Sequence, residues 1–122
     1  MNGLDGLWKS PSLTFPDHDD FMAIDEDRGR IIKFIVYTTD PLMRNPLRSW
    51  FRRISANSIE DELPDSHARR VWQFAIDGDQ VTWRSGNFVS TWTRVPWNQR
   101  PEWLDRQLAI QHSKLDAAEK SP

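Results

Sequence analysis

Turn signals recur through the first ninety-five residues, and each is flanked by a short apolar run. Glu26-Asp27-Arg28-Gly29 carries its glycine late, as hairpin loops often do. Asp77-Gly78 is among the strongest hairpin signals a sequence can offer, and Ser85-Gly86-Asn87 turns the chain again. Between the turns, β-branched and aromatic residues suit a pleated, half-buried surface. Strands are therefore expected over residues 4–9, 21–25, 30–38, 48–55, 58–63, 69–77, 80–84 and 88–95. Residues 10–20 and 40–46, rich in Pro, Asp and Asn, read as loops. About eight strands with no helix between them form an antiparallel meander, and closing it into a barrel removes the exposed edges.

After residue 95 the period changes. Pro96–Arg100 is a connector, and Pro101 suits a first helical turn, where its missing N–H costs nothing. From Glu102 the pattern is helical. Leu104, Leu108 and Leu115 lie close to one face, with Trp103 and Ile110 at its margin. The tail from residue 117 is expected to fray. The fold class is thus all-β: a closed up-and-down meander with one C-terminal α-helix packed outside. Residues 1–96 form the barrel, and 97–122 form the connector and helix of the same single domain.

Composition narrows the function. Sixteen Lys and Arg against eighteen Asp and Glu leave a net charge of -2, without the basic excess of a dedicated nucleic-acid binder. With no cysteine, disulfides, thiolate metal sites and cysteine nucleophiles are excluded. No apolar run approaches the roughly eighteen residues of a membrane helix, and MNGLDGLWKS has neither the basic nor the apolar region of a signal peptide. A cytoplasmic protein with no nucleic-acid or membrane partner is expected, with room for a homodimer. Seven Trp and six Phe against one Tyr supply bulk either for a filled interior or for a pocket walled by ring faces.

Gly6-Leu7-Trp8 on the first strand and Arg94 on the last flank this meander, and a helix follows. The combination resembles the lipocalin and calycin superfamily. The resemblance implies that Trp8 closes one end of the barrel and that Arg94 packs across its indole, a structural role for both. It also implies a small-molecule site inside the barrel.

Other chemistry is thinly represented. Asp17-His18-Asp19 has metal-compatible donors, but an Asp-rich loop is ordinary turn chemistry, and no metal or other cofactor is expected. No serine sits in G-x-S-x-G. Glu60 and Glu62 share a strand face; Ile59, Asp61 and Leu63 form the other, which is the better inward face. Arg52 points inward if Trp50 and Ile54 do, and outward if Phe51 does.

The leading expectation is a barrel that binds one small, mostly apolar or amphipathic ligand, an anionic one included. Phe34, Val36, Trp50, Trp72, Phe74, Trp83 and Trp92 would wall it, with Arg52 and Tyr37 orienting the ligand's polar end. Two alternatives stand beside it. One is an isomerase, cyclase or decarboxylase on the same barrel, using Tyr37, Arg52 and a Glu. The other is an interaction module with a filled interior, docking through its helix or through Trp97 and Trp103.

Overall fold

The computed structural model describes residues 3–119. Eight strands run in chain order: β1 (Gly6–Pro11), β2 (Asp19–Asp25), β3 (Arg30–Val36), β4 (Arg44–Ser55), β5 (Ser58–Glu62), β6 (Arg69–Asp77), β7 (Gln80–Ser85) and β8 (Phe88–Val95). Each pairs antiparallel with the next, and β8 returns to β1, so the sheet is a closed barrel. A 3-10 turn (Trp97–Gln99) leads to the helix α1 (Leu104–Glu119). No helix among the described residues is long and apolar enough to cross a membrane.

Most strand ends lie within two residues of the sequence expectation, and three larger or chemically telling differences stand out. β4 starts at Arg44, so Pro46 lies within a strand, opposite Phe34 of β3. Proline is tolerated there because β5 joins β4 only from Trp50 onward, so Pro46 has a neighbour on one side alone. Pro101 precedes the helix rather than opening it: the Leu104 N–H donates to the Pro101 carbonyl at 3.1 Å. The helix also continues through Ala117 to Glu119. Asp116 and Glu119 in that last turn hold Arg30 of β3, with Arg30 donating to their carboxylates at 2.6 and 3.2 Å.

The helix decides which way β3 and β4 face. Ile31 and Ile35 of β3 and Phe51 of β4 pack inside the barrel, with Trp8, Met22, Ile24, Ile59, Trp72, Phe74, Val81, Trp83 and Trp92. Ile32 and Phe34 lie on the outer face, in a second core with Leu104, Leu115, Trp103, Leu108 and Trp50. Trp103 meets Phe21 and Phe34 edge-on, at 5.7 and 5.3 Å between centroids. Ile110 is on the exposed side of the helix, while Gln111 is buried and accepts from Arg48 at 2.9 Å.

One end of the barrel is shut. The β2–β3, β4–β5 and β6–β7 turns gather there, and the N-terminal segment crosses beneath them. Trp8 is fully buried, and its indole N–H donates to the Leu4 carbonyl at 2.9 Å. The Arg94 guanidinium lies 4.2 Å from the Trp8 ring centroid and donates to the Asp5 and Gly3 carbonyls. Gly6 is a physical requirement of this knot. Its φ of +124° suits glycine, and a Cβ there would sit 3.2 Å from the Arg94 guanidinium.

Candidate functional site

At the opposite end the strands are joined by residues 12–18, 37–43, 63–68 and 86–87. A cavity of about 500 Å³ lies on this side of the barrel. The interior is thus packed around Trp8 at the base and open at this end. Period-two alternation assigns the wall. Met22 of β2, Ile31 and Lys33 of β3, Leu47 and Ser49 of β4, and Ile59 and Asp61 of β5 contribute, followed by Arg70 and Trp72 of β6. Trp83 and Ser85 of β7 and Phe88, Ser90 and Trp92 of β8 complete the circuit.

Of the residues expected to wall a pocket, Trp72, Trp83 and Trp92 line this cavity. Phe74 faces inward too, packed against Trp83 at 5.4 Å in the interior core. The remaining expected residues lie elsewhere than on the cavity wall. Phe34 and Trp50 face outward beneath α1, because the helix gives them a second apolar surface. Val36 shares the outward face of β3 with Ile32 and Phe34, and its N–H donates to Asp20. Phe51 points inward, so Arg52 is on the outer surface, pairing with Glu60 at 3.0 Å. Tyr37 lies beyond β3 and is exposed.

The enzymatic arrangement of Tyr37, Arg52 and a Glu is not assembled: the cavity wall contains neither of those two residues nor any Glu. Glu60 and Glu62 are on the outer face, bonded to Arg52 and to Arg69 and His67. Among the described residues, no group of three or more His, Asp or Glu is placed to hold a metal ion.

The polar chemistry of the cavity centres on Trp72. Asp61, which is buried, accepts from the Trp72 indole N–H at 3.2 Å and from Arg70 at 3.0 Å. The Arg70 guanidinium lies 5.2 Å from the Trp72 ring centroid, and the Lys33 ammonium lies 5.5 Å from it. Lys33 has no hydrogen-bond or ion-pair partner among the described residues. Burial pushes its ammonium below the ordinary lysine range. The Arg70 charge pushes the same way and the Asp61 carboxylate opposes both. Two cations and one anion thus surround the Trp72 indole, and Arg48 adds a third cation to the cavity lining. Farther round, the Trp92 indole N–H donates to Ser90 Oγ at 3.1 Å, while the buried Trp83 indole N–H has no acceptor among the described residues.

Among the wall residues absent from the sequence expectation, the charged Lys33 and Arg70 had left a trace. Lys33 is the one charge inside the apolar run Ile31–Val36, and Arg70 is two residues before Trp72 on an inward face. In the connections at the mouth Leu13 and Leu42 are largely exposed and Met43 about half exposed, as are the wall residues Leu47 and Phe88.

No protein-family model matches the chain, and no curated protein matches it either.

Proposed function

We propose that this chain is a lipocalin-like carrier, taking one small and largely apolar molecule into the barrel with its polar end against Lys33, Asp61 and Arg70. The observation that carries this reading is the about 500 Å³ hollow whose wall combines Trp72, Trp83 and Trp92 with apolar Met22, Ile31 and Ile59. That volume falls within the roughly 300–1,000 Å³ of small-molecule sites, which are mostly apolar with a few placed polar groups. An apolar guest would displace water from ring faces at roughly 25 cal/mol per Å² covered.

The superfamily assignment belongs to the same proposal. It is supported by the strand order, the G-x-W glycine and tryptophan, and the arginine stacked on that tryptophan.

The test is a titration of intrinsic tryptophan fluorescence with a panel of aromatic alcohols, aromatic acids, medium-chain fatty acids and tetrapyrroles. Saturable quenching by at least one class is expected, and Trp83→Phe and Trp92→Phe should each reduce its amplitude. A panel without saturable response would defeat the carrier reading.

A further inference from the structure

We propose that Lys33 is a nucleophile, and that the barrel captures small apolar aldehydes or ketones as a Schiff base on its ε-amine. The inference rests on the carrier reading and names the chemistry of the guest's polar end.

Three observations carry it. First, Lys33 is the one lysine on the cavity wall; Lys9 and Lys114 are on the outside of the molecule. Second, the acceptors near it are engaged elsewhere. Asp61 Oδ2 accepts from both Arg70 and Trp72, and Oδ1 faces Arg70 Nε at 3.4 Å. A lysine serving only to balance a buried carboxylate would bond to it, whereas Lys33 stands over an indole face with its nitrogen unbonded. Third, a desolvated amine beside another cation loses its proton more readily and becomes nucleophilic. Arg70 supplies that cation on the same wall, and burial acts in the same direction.

The chemistry balances without an oxidant or a reductant. The Lys33 nitrogen lone pair attacks the carbonyl carbon, and the π pair moves to oxygen, which takes a proton. The nitrogen then loses a proton, its lone pair forms the C=N bond as the hydroxyl takes a second proton and leaves as water, and loss of the remaining N–H proton gives the neutral imine. One amine and one carbonyl thus give one imine and one water, with protons exchanged through the open mouth. Asp61 is the carboxylate on the wall to face the imine when it is protonated. Packing of the guest's body on Trp72, Trp83 and Trp92 holds the carbonyl near the amine, which turns a bimolecular encounter into an intramolecular one.

The experiment treats the full chain with cinnamaldehyde at neutral pH and reduces the product with sodium cyanoborohydride. Intact mass and peptide mapping then locate the adduct. The expected result is one adduct at Lys33, in at least ten-fold excess over Lys9, Lys114, Lys120 and the N-terminal amine. It should disappear in Lys33→Arg, which keeps the charge, and fall when cinnamyl alcohol competes. The position of the adduct in the unaltered chain decides the matter even if the variant folds poorly. Adducts spread over the exposed amines, or none, would overturn the inference. Cinnamyl alcohol, which cannot condense, separates the two claims. If it quenches tryptophan fluorescence while the aldehyde leaves Lys33 unmodified, the inference fails and the carrier reading stands. If neither compound quenches and Lys33 stays unmodified, both fail.

Discussion

Arg94 lies across the indole of Trp8, its guanidinium carbon 4.2 Å from the ring centroid, while two of its nitrogens reach the Asp5 and Gly3 carbonyls. The pair ties the last strand, the first strand and the segment before it into one plug. Replacing Trp8 by Ala removes a fully buried ring and should cost about 3–5 kcal/mol. Arg94→Ala forfeits the cation–π contact, worth up to about 2 kcal/mol where desolvated. Arg94→Lys should restore only part of that loss, since a single ammonium cannot span both carbonyls as the planar fork does. In urea unfolding, the double variant should lose less than the sum of the single ones, because the residues act on each other. Additive losses would show that they act separately.

Gly6→Ala should be destabilising despite its small change in volume. Its φ of +124° is strained for any residue with a Cβ, a cost of about 1–3 kcal/mol, and the added carbon would press on Arg94. Urea midpoints check this; an unchanged midpoint would mean that the turn has freedom to rearrange.

Lys33 makes a pH prediction of opposite sign to the usual lysine. Its folded pKa is lowered, so between that value and the ordinary 10.5 the unfolded chain binds more protons than the folded one. Stability therefore rises with pH through this window, and below it the cost of burying the charge is constant. Lys33→Met should be more stable than the parent at neutral pH, with the gap closing as pH climbs toward 10.5. A gap that widens with pH would contradict the lowered value.

Asp61→Asn keeps an acceptor for the Trp72 N–H but removes the one anion on the wall, leaving Lys33 and Arg70 as like charges. Arg70 is half-exposed, so the loss should fall below the about 3–5 kcal/mol of breaking a fully buried pair. The Lys33 pKa should drop further, since the Asp61 carboxylate is what holds it up. A titration of the Lys33 Cε chemical shift in the two proteins reads this directly, and an unmoved midpoint would count against it.

His112 makes the docking of α1 sensitive to acid. Arg30 can only donate, so its 3.1 Å contact with His112 Nδ1 needs that nitrogen unprotonated. Burial lowers the His112 pKa, and the charges of Arg28 and Arg30 lower it further, against the opposing pull of Asp25 and Asp116. The folded value thus lies below the ordinary 6.5. The stabilisation is complete above 6.5 and is lost as pH falls through the window beneath it. Between pH 7.5 and pH 5 the parent should lose more stability than His112→Gln; equal losses would place the acid sensitivity elsewhere.

The architecture was legible because turn chemistry is local. Asp77-Gly78 and Ser85-Gly86-Asn87 specify hairpins whatever lies beyond them. Side-chain direction was legible only where one face of a strand was polar. In β6 the bulky Trp72, Phe74 and Ile76 alternate with Val71, Gln73, Ala75 and Asp77, which are smaller or polar, and that contrast pointed the aromatics inward. In β3, Ile31, Ile32, Phe34, Ile35 and Val36 are apolar on both faces, and the pattern alone cannot choose. The choice is made by α1, about seventy residues away in sequence, which covers the outer side of β3 and β4. The same distance hid Lys33: an ionisable residue in an apolar run becomes informative only once the run is known to border a hollow.

The ring of strands is fastened unevenly. Between β1 and β8 the register holds at Leu7–Val95, Trp8–Arg94 and Lys9–Thr93, all toward the plugged base, and farther up only the Ser10 hydroxyl reaches across to the Thr91 carbonyl. The wall accordingly has a seam stitched from below and slack at the top. Any parting of β1 from β8 should therefore begin at this upper end, where amide exchange would be fastest, while the Trp8–Arg94 rivet keeps the base intact.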